Sequence, residues 1–485
     1  TQLQAARQNP DDYRGALAGD PEAVGSFRTL TGASQRLTYG YDTFGNEINS
    51  AGVDGPRHPS FLSFYAQDKF EARDIVINAG LRVDVIDNDD FEFADPTNPP
   101  WDRTNQGLFS DQLVKKNAAV ELSPRLGLAF PVTDRTVFHL QYGKFVQAPQ
   151  FNSLYNGSSW YDALFTGGTS FRTNVIGLGL NPEKTTQYEV GFSQQFSDAA
   201  AFDLTVYYKN IEDQIQFSRV SVDPTSSASD YNVLVNGDFA TTAGAELSLT
   251  LRRTKRMAGQ INYTFSRSLG TGSAANTSVA GIEQVTQVPS IISPLDFNRP
   301  QRGSASFDYR FNKGDGGPIL QQLGLNLLLN FTSGHPFTRS EGEFGQQDAS
   351  IGGQITDPRS RRPLEAVNAS LTPWNYDLNL RLDKTVNVGR LGLNFYMYVQ
   401  NLTNRQNVVN VYRRTGNAYD DGFLNNPELS GPIISANGGD PFVALYRAIN
   451  LGGNGDNYAQ GETDILGLQL LGPPRQIRFG ARVEF

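Results

Sequence analysis

The chain has 485 residues, rich in glycine (48) and aromatics (11%), with charged residues at only 19% and no cysteine. That balance excludes a disulfide framework, a Cys-based zinc site and thiol chemistry, and a net charge of −9 gives no basic footprint for nucleic acid. No run approaches the roughly 20 apolar residues a membrane-crossing helix needs, and the mean hydropathy of −0.41 suits a transmembrane barrel as well as a soluble protein, because a barrel strand sends only every second side chain to lipid.

Residues 1–33 read as an irregular segment or loop, and the start Thr1-Gln2-Leu3-Gln4 lacks the basic and apolar regions of a signal peptide. From 34 to 485 the dominant signal is period-two alternation in segments of about ten to twelve residues, the length a tilted strand needs to cross a bilayer. The pattern recurs about thirteen times, or about fourteen if residues 36–41 form a strand, a count set by alternation alone. Leu323, Leu325, Leu327, Leu329 and Phe331 alternate with Gly324, Asn326, Asn330 and Thr332, and only Leu328 breaks the rule. Tyr376, Leu378, Leu380 and Leu382 alternate more cleanly with Asp377, Asn379, Arg381 and Asp383.

The links between these segments alternate in length. Short turns are expected at 71–74, 131–135, 197–200, 254–256 and 385–389, with a longer one near 313–320. Long connections are expected over 87–117, 148–184, 217–242, 269–300, 334–373 and 403–474. Outer-membrane barrels show this asymmetry, with short periplasmic turns and long extracellular loops. Phe70, Phe130, Phe138, Phe196, Phe202 and Phe311 each lie beside a short turn, where an interfacial girdle would sit; in a soluble sandwich they would be core plugs. The last segment alternates Ile477, Phe479, Ala481, Val483 and Phe485 with Gln476, Arg478, Gly480, Arg482 and Glu484. The fold expected is an all-β, antiparallel transmembrane β-barrel.

Enzymatic constellations are poor. Only His58, His139 and His335 exist, with no metalloprotease or Ser-His-Asp spacing, so no catalytic residue and no cofactor is expected. Arg82, His139, Glu189, Glu246, Arg381 and Arg478 fall on the polar side of their strands and are expected to line a lumen. Asp87, Asp89 and Asp90, with Glu92 and Asp95, open a long loop; they could collect oxygen ligands for Ca²⁺, but they lack calcium-loop spacing, and solvated loop charge is the simpler reading. Tyr155, Trp160, Tyr161, Phe165 and Phe171 form the best ligand-contact candidate, since exposed rings stack on sugars or chelators. The competing expectation is that these rings pack the loop on itself. The run Gly452-Gly453-Asn454-Gly455 reads as flexible loop, because no strand and helix flank it as a phosphate cradle requires.

Several phrases resemble the TonB-dependent outer-membrane receptors, especially the Oar-like branch. They are FYAQDKF at 64–70, NAGLRVD at 78–84, SPRLG at 123–127, YGKFVQAP at 142–149, NPEKTTQYE at 181–189, YYKNI at 207–211 and the closing FGARVEF at 479–485. The resemblance implies the C-terminal portion of a 22-stranded barrel, with a plug domain and an energy-coupling box upstream and absent from this chain; a plugless barrel of fourteen strands is the rival. It also implies import of a scarce ligand (siderophore, vitamin, oligosaccharide or peptide) driven by a TonB-type energy-coupling protein. Outer-membrane lipid and lipopolysaccharide are the other expected partners. The alternative function is a structural or adhesive surface barrel that binds a protein or polymer through its loops, and a barrel hydrolase is a remote third.

Overall fold

The computed structural model describes residues 56–72, 75–103, 107–109, 112–155, 161, 164–165, 177–273, 291–339, 363–389, 391–420, 422–450 and 470–484. The expectations for 1–33 and 36–41, and those for Trp160, Phe171, Gly452–Gly455 and Phe485, lie outside these residues.

Among the described residues one antiparallel sheet runs in chain order through thirteen long strands. They are β1 (Ser60–Ala72), β2 (Ile75–Asp87), β3 (Ala119–Thr133), β4 (Thr136–Gln147), β5 (Glu183–Ser197), β6 (Ala200–Val220) and β7 (Tyr231–Thr254). After them come β8 (Met257–Gly270), β9 (Gln301–Arg310), β10 (Leu323–Thr332), β11 (Asn375–Val388), β12 (Leu391–Gln400) and β13 (Gln476–Glu484). A fourteenth strand, Ser293–Pro294, pairs with the end of β8. Each long strand pairs with its sequence neighbours, so the backbone groups of one strand are satisfied by the next.

Register follows the alternation. Leu325, Leu327 and Leu329 of β10 stand opposite Leu382, Leu380 and Leu378 of β11, while Asn326, Leu328 and Asn330 face Arg381, Asn379 and Asp377 on the other side. The oily row continues through Met397 and Phe479, and the polar row through Tyr398 and Arg478. A slip of one residue would turn every leucine into the polar face, so the pattern fixes the pairing. From Tyr376 to Leu382 the apolar stripe rises roughly 20 Å at 3.3 Å per residue, close to the apolar band of about 25 Å that a bilayer demands.

No second sheet covers that stripe among the described residues, and Val190, Phe192, Val206 and Tyr208 are exposed on it. The four clusters of buried apolar side chains lie in the long connections and the strand extensions beside them. A soluble sandwich would bury its stripe in a dry core; this sheet leaves it outside. A contiguous apolar surface of that extent marks contact with a membrane or another apolar surface. Rings edge it: Tyr142, Tyr188 and Tyr208 sit side by side on three strands toward the long connections, and Phe130, Phe138 and Phe192 do so toward the short turns. Among the described residues no helix is long and apolar enough to cross a membrane; crossing by strands is a separate matter.

The short turns fall between β1–β2, β3–β4, β5–β6, β7–β8, β9–β10 and β11–β12, as the sequence predicts. The β9–β10 turn carries a single helical turn, Gly317–Leu320, and Arg256 beside it clasps Asp315 while lying 4.5 Å above the ring of Phe311. One expectation about the connections needs correction. The connection expected over 217–242 is mostly strand, because β6 and β7 extend far past the apolar band and leave only 221–230 between them. The connection between β12 and β13 holds two helices, α1 (Pro427–Ala436) and α2 (Asp440–Asn450), packed through Phe423, Phe442 and Tyr446.

Candidate functional site

The polar face of the sheet gathers the chemistry. Arg82, His139, Glu189, Glu246, Arg381 and Arg478 all fall on it, opposite the apolar stripe: His139 faces Gly191, Glu189 faces Tyr207, and Glu246 faces Thr205 and Thr264. Across the sheet, Arg82 faces Ser123, and Arg381 and Arg478 flank Tyr398. Arg82 donates through Nε to both oxygens of Asp84 at 2.9 Å and through Nη2 to Ser63 at 2.8 Å. Gln187 donates to Glu189, Arg478 donates to Gln476 at 2.9 Å, and the guanidinium of Arg381 lies 5.1 Å from the ring centre of Tyr396. Each of these four charged groups thus has a partner on its own face of the sheet, a carboxylate, an amide or a ring.

Glycines shape this wall. A Cβ at Gly191 would come within 1.9 Å of His139 Nε2, so the imidazole lies over a position that only glycine leaves open. Gly244 serves Tyr207 in the same way, with the phenol oxygen 2.7 Å from where a Cβ would stand. Sequence reasoning missed Tyr207 and the pair Arg310–Asp383, in which Arg310 donates to both carboxylate oxygens at 2.8 and 2.7 Å. A glycine inside a strand is the signal that finds the first; the second joins β9 to β11 across β10 and leaves no local trace.

Above the sheet the long connections fold together. Trp101 from β2–β3, Tyr161 and Phe165 from β4–β5, and Ala228 and Tyr231 from β6–β7 share one buried cluster, and Tyr155 packs in a second with Leu154, Leu180, Phe217 and Leu234. Tyr155, Tyr161 and Phe165 are thus 4%, 2% and 0% exposed. In this structure their rings form the private core of the loops and offer no open face for stacking. The connections on the other side are tied by polar contacts: Asn368 donates to Pro294 and Asp296 at 2.7 Å, and Arg339 to the Arg414 carbonyl at 3.2 Å.

Asp87, Asp89 and Asp90 do not converge. Asp87 accepts from the Asp89 amide at 2.8 Å, Asp89 accepts from the His58 amide at 2.8 Å and lies 3.3 Å from Lys115 Nζ, and Asp90 accepts from the Gly179 amide at 2.8 Å. Among the described residues no group of three His, Cys, Asp or Glu side chains could hold a metal ion. Burial pushes the Asp90 carboxyl up to about 6, against the pull of the Gly179 and Phe91 amides. His335 lies at a loop entry, beside the Thr372 hydroxyl at 3.3 Å, and burial holds its imidazole below the usual range.

One open sheet, oily outside, charged inside and roofed at one end by folded loops, is the architecture on which comparison with known proteins bears. The family described as TonB dependent receptor-like, beta-barrel, matches residues 2–402. This chain belongs to that family. The TonB-dependent receptor barrel is an integral protein of the bacterial outer membrane, so the oily stripe faces lipid, the short turns lie in the periplasm and the long connections lie outside. No curated protein sequence matches the chain. Among solved structures it is similar to the outer membrane transporter YddB from Escherichia coli, at 13% identity and a TM-score of 0.45, covering 76% of this chain and 45% of that one. It is also similar to the FrpB iron transporter from Neisseria meningitidis (F3-3 variant), at 13% identity and a TM-score of 0.44, covering 72% and 42%. The ferric yersiniabactin uptake receptor FyuA from Yersinia pestis matches at 12% identity and a TM-score of 0.41, over the same shares of 72% and 42%. The chain thus spans less than half the length of these proteins.

Proposed function

We propose that this receptor barrel is the conducting wall of an importer, in which ligand is caught by the outer loops and passes along the charged inner face under the drive of a TonB-type energy-coupling protein. The observation that carries the reading is the largely polar wall that runs from Arg82 to Arg478, one strand after another, opposite a lipid stripe. A scaffold needs the oily stripe, but it has no use for a lined passage. Six charged or imidazole side chains on one inner face, several of them paired only to wet neighbours, suit a route for polar solutes. The ligand would be a siderophore, vitamin, oligosaccharide or peptide, and the local phrases point to the Oar-like branch. The chemistry of the wall is that of binding and passage rather than bond breaking. Lipid and lipopolysaccharide would contact the stripe and its outer ring of Tyr142, Tyr188 and Tyr208.

The test is accumulation in whole cells that carry the receptor in their outer membrane. Radiolabelled ferric siderophores, cyanocobalamin, maltodextrins and oligopeptides serve as the probe panel, each measured with the cell's TonB intact and disrupted. Import predicts that at least one probe accumulates only when both receptor and TonB are present. Surface binding that is unchanged by loss of TonB, with no accumulation of any probe, would replace import by the adhesive alternative.

A further inference from the structure

At the loop end of the inner wall lies a cavity of about 410 Å³. Its floor is a single crosswise row: Gln147 ends β4, Glu183 begins β5, Gln214 stands on β6, Asp238 on β7, and Gly272 follows β8. Register places Gln147 opposite Glu183 and Gln214 opposite Asp238, all on the polar face. The β6 strand reaches this row through an irregular step at Asp213, whose φ of 60° shifts the pairing and turns Gln214 inward.

Two buried hydrogen-bond acceptors of the row lack donors among the described residues. Asp238 is only 4% exposed; Oδ1 accepts from the Thr271 hydroxyl at 2.7 Å, and Oδ2 has no partner among the described residues. Gln214 Oε1 is likewise buried and, among the described residues, without a partner. Glu183 receives one long hydrogen bond, from the Ile215 amide at 3.4 Å. Asp238 Oδ2 packs against residue 272 only because that residue is glycine: a Cβ there would lie 2.0 Å from the oxygen. Among the described residues no Lys, Arg or His lines the cavity. A buried carboxylate oxygen and a buried amide oxygen left without donors are costly, and they are stabilised by whatever brings N–H groups and positive charge to them.

We infer that this cavity is a ligand subsite for a cationic, hydrogen-bond-donating group, a primary ammonium or a guanidinium, presented from the loop side. Size favours an organic group over a bare ion, since the volume lies within the range of small-molecule sites, about 300–1,000 Å³, and far exceeds the roughly 30 Å³ of one water. Two carboxylates are also too few for the oxygen cage that calcium takes. The inference deepens the import reading by naming the ligand's chemistry, and it rests on that reading for the direction of entry alone.

The experiment is equilibrium binding to the receptor purified from outer membranes in detergent, with spermidine as the probe and maltotriose and Ca²⁺ as comparisons. Assembly of each variant is checked first by heat-modifiable mobility on gels. Saturable spermidine binding is expected, weakened about 10- to 100-fold in Asp238→Asn, the loss of a charge-assisted hydrogen bond. Gly272→Ala, whose Cβ would displace Oδ2 from its place against residue 272, should weaken it as well, and Glu121→Gln, an inner-face carboxylate outside the cavity, should not. Wild-type affinity in an assembled Asp238→Asn barrel would overturn the inference, as would absence of saturable spermidine binding or an Asp238-dependent preference for maltotriose or Ca²⁺. Detergent binding involves no energy coupling, so failure of import would leave this result standing, and failure here would leave import standing.

Discussion

Asp90 lies 2% exposed beneath the folded loops, tied to the Gly179 amide of the neighbouring connection. Its carboxyl is raised from 3.8 to about 6, so between those values the folded form holds more protons than the unfolded one, and loop stability falls as pH rises through that window. The destabilisation is complete above pH 6 and absent below about 3.8, on the order of 3 kcal/mol by the linkage constant. Asp90→Asn keeps an acceptor for Gly179 and removes the charge. Protection factors at the amides of residues 177–180, corrected for intrinsic exchange, should therefore rise at pH 7.5 relative to wild type and lose the fall that wild type shows between about pH 4 and 6; an unchanged fall would show that another group controls the loop. Gly191 and His139 make a second residue-scale case, since the imidazole occupies the space of the missing Cβ. Gly191→Ala should cost about 1–3 kcal/mol of overpacking, and adding His139→Ala should recover most of it, a coupling read from urea titrations of the single and double variants. The sequence placed His139 on the inner face, but the ring's dependence on Gly191 lies across a strand pair and was out of reach.

At the scale of elements, the hydrophobic period decided nearly everything within the bilayer. Leu380 stands at the middle of β11 with Leu327 and Val399 beside it on the lipid side. Leu380→Arg should cost about 2–4 kcal/mol and reduce the heat-modifiable, assembled fraction in membranes, whereas Thr264→Arg on the inner face of β8 should assemble normally. Equal effects would mean that the two faces do not differ in solvent. The same period fails outside the lipid, and the failures share that cause. Where β6 and β7 extend beyond the apolar band, both faces meet water or loop, alternation is no longer required, and the step at Asp213 breaks what remains. That is why 217–242 reads as loop. The helix α1 is concealed by Gly431 and by Pro432 within it, residues that ordinarily argue against a helix; packing of Ile433 and Ile434 against Phe423 and Tyr446 outweighs them.

For the molecule as a whole, residues of three long connections share one buried cluster, and the loop aromatics show why that was illegible. Tyr161 and Phe165 read equally well as exposed ligand platforms or as core, because a loop has no period to say which way a ring points. The answer depends on Trp101 and Tyr231, which come from other connections far along the chain. Trp101 is 3% exposed, with its ring 6.0 Å from that of Phe165, and Phe165 in turn lies 4.9 Å edge-on to Tyr231. Trp101→Ala should therefore remove about 3–5 kcal/mol from three connections at once while leaving the sheet, which shares none of these contacts at membrane height, intact. Limited proteolysis of the receptor in native membranes reads this directly. Cleavage should rise together in 88–118, 148–182 and 221–230, with no change in the heat-modifiable mobility of the barrel. If only the connection carrying Trp101 became susceptible, the three loops would not be one cooperative unit, and each would have to be held by its own strand ends.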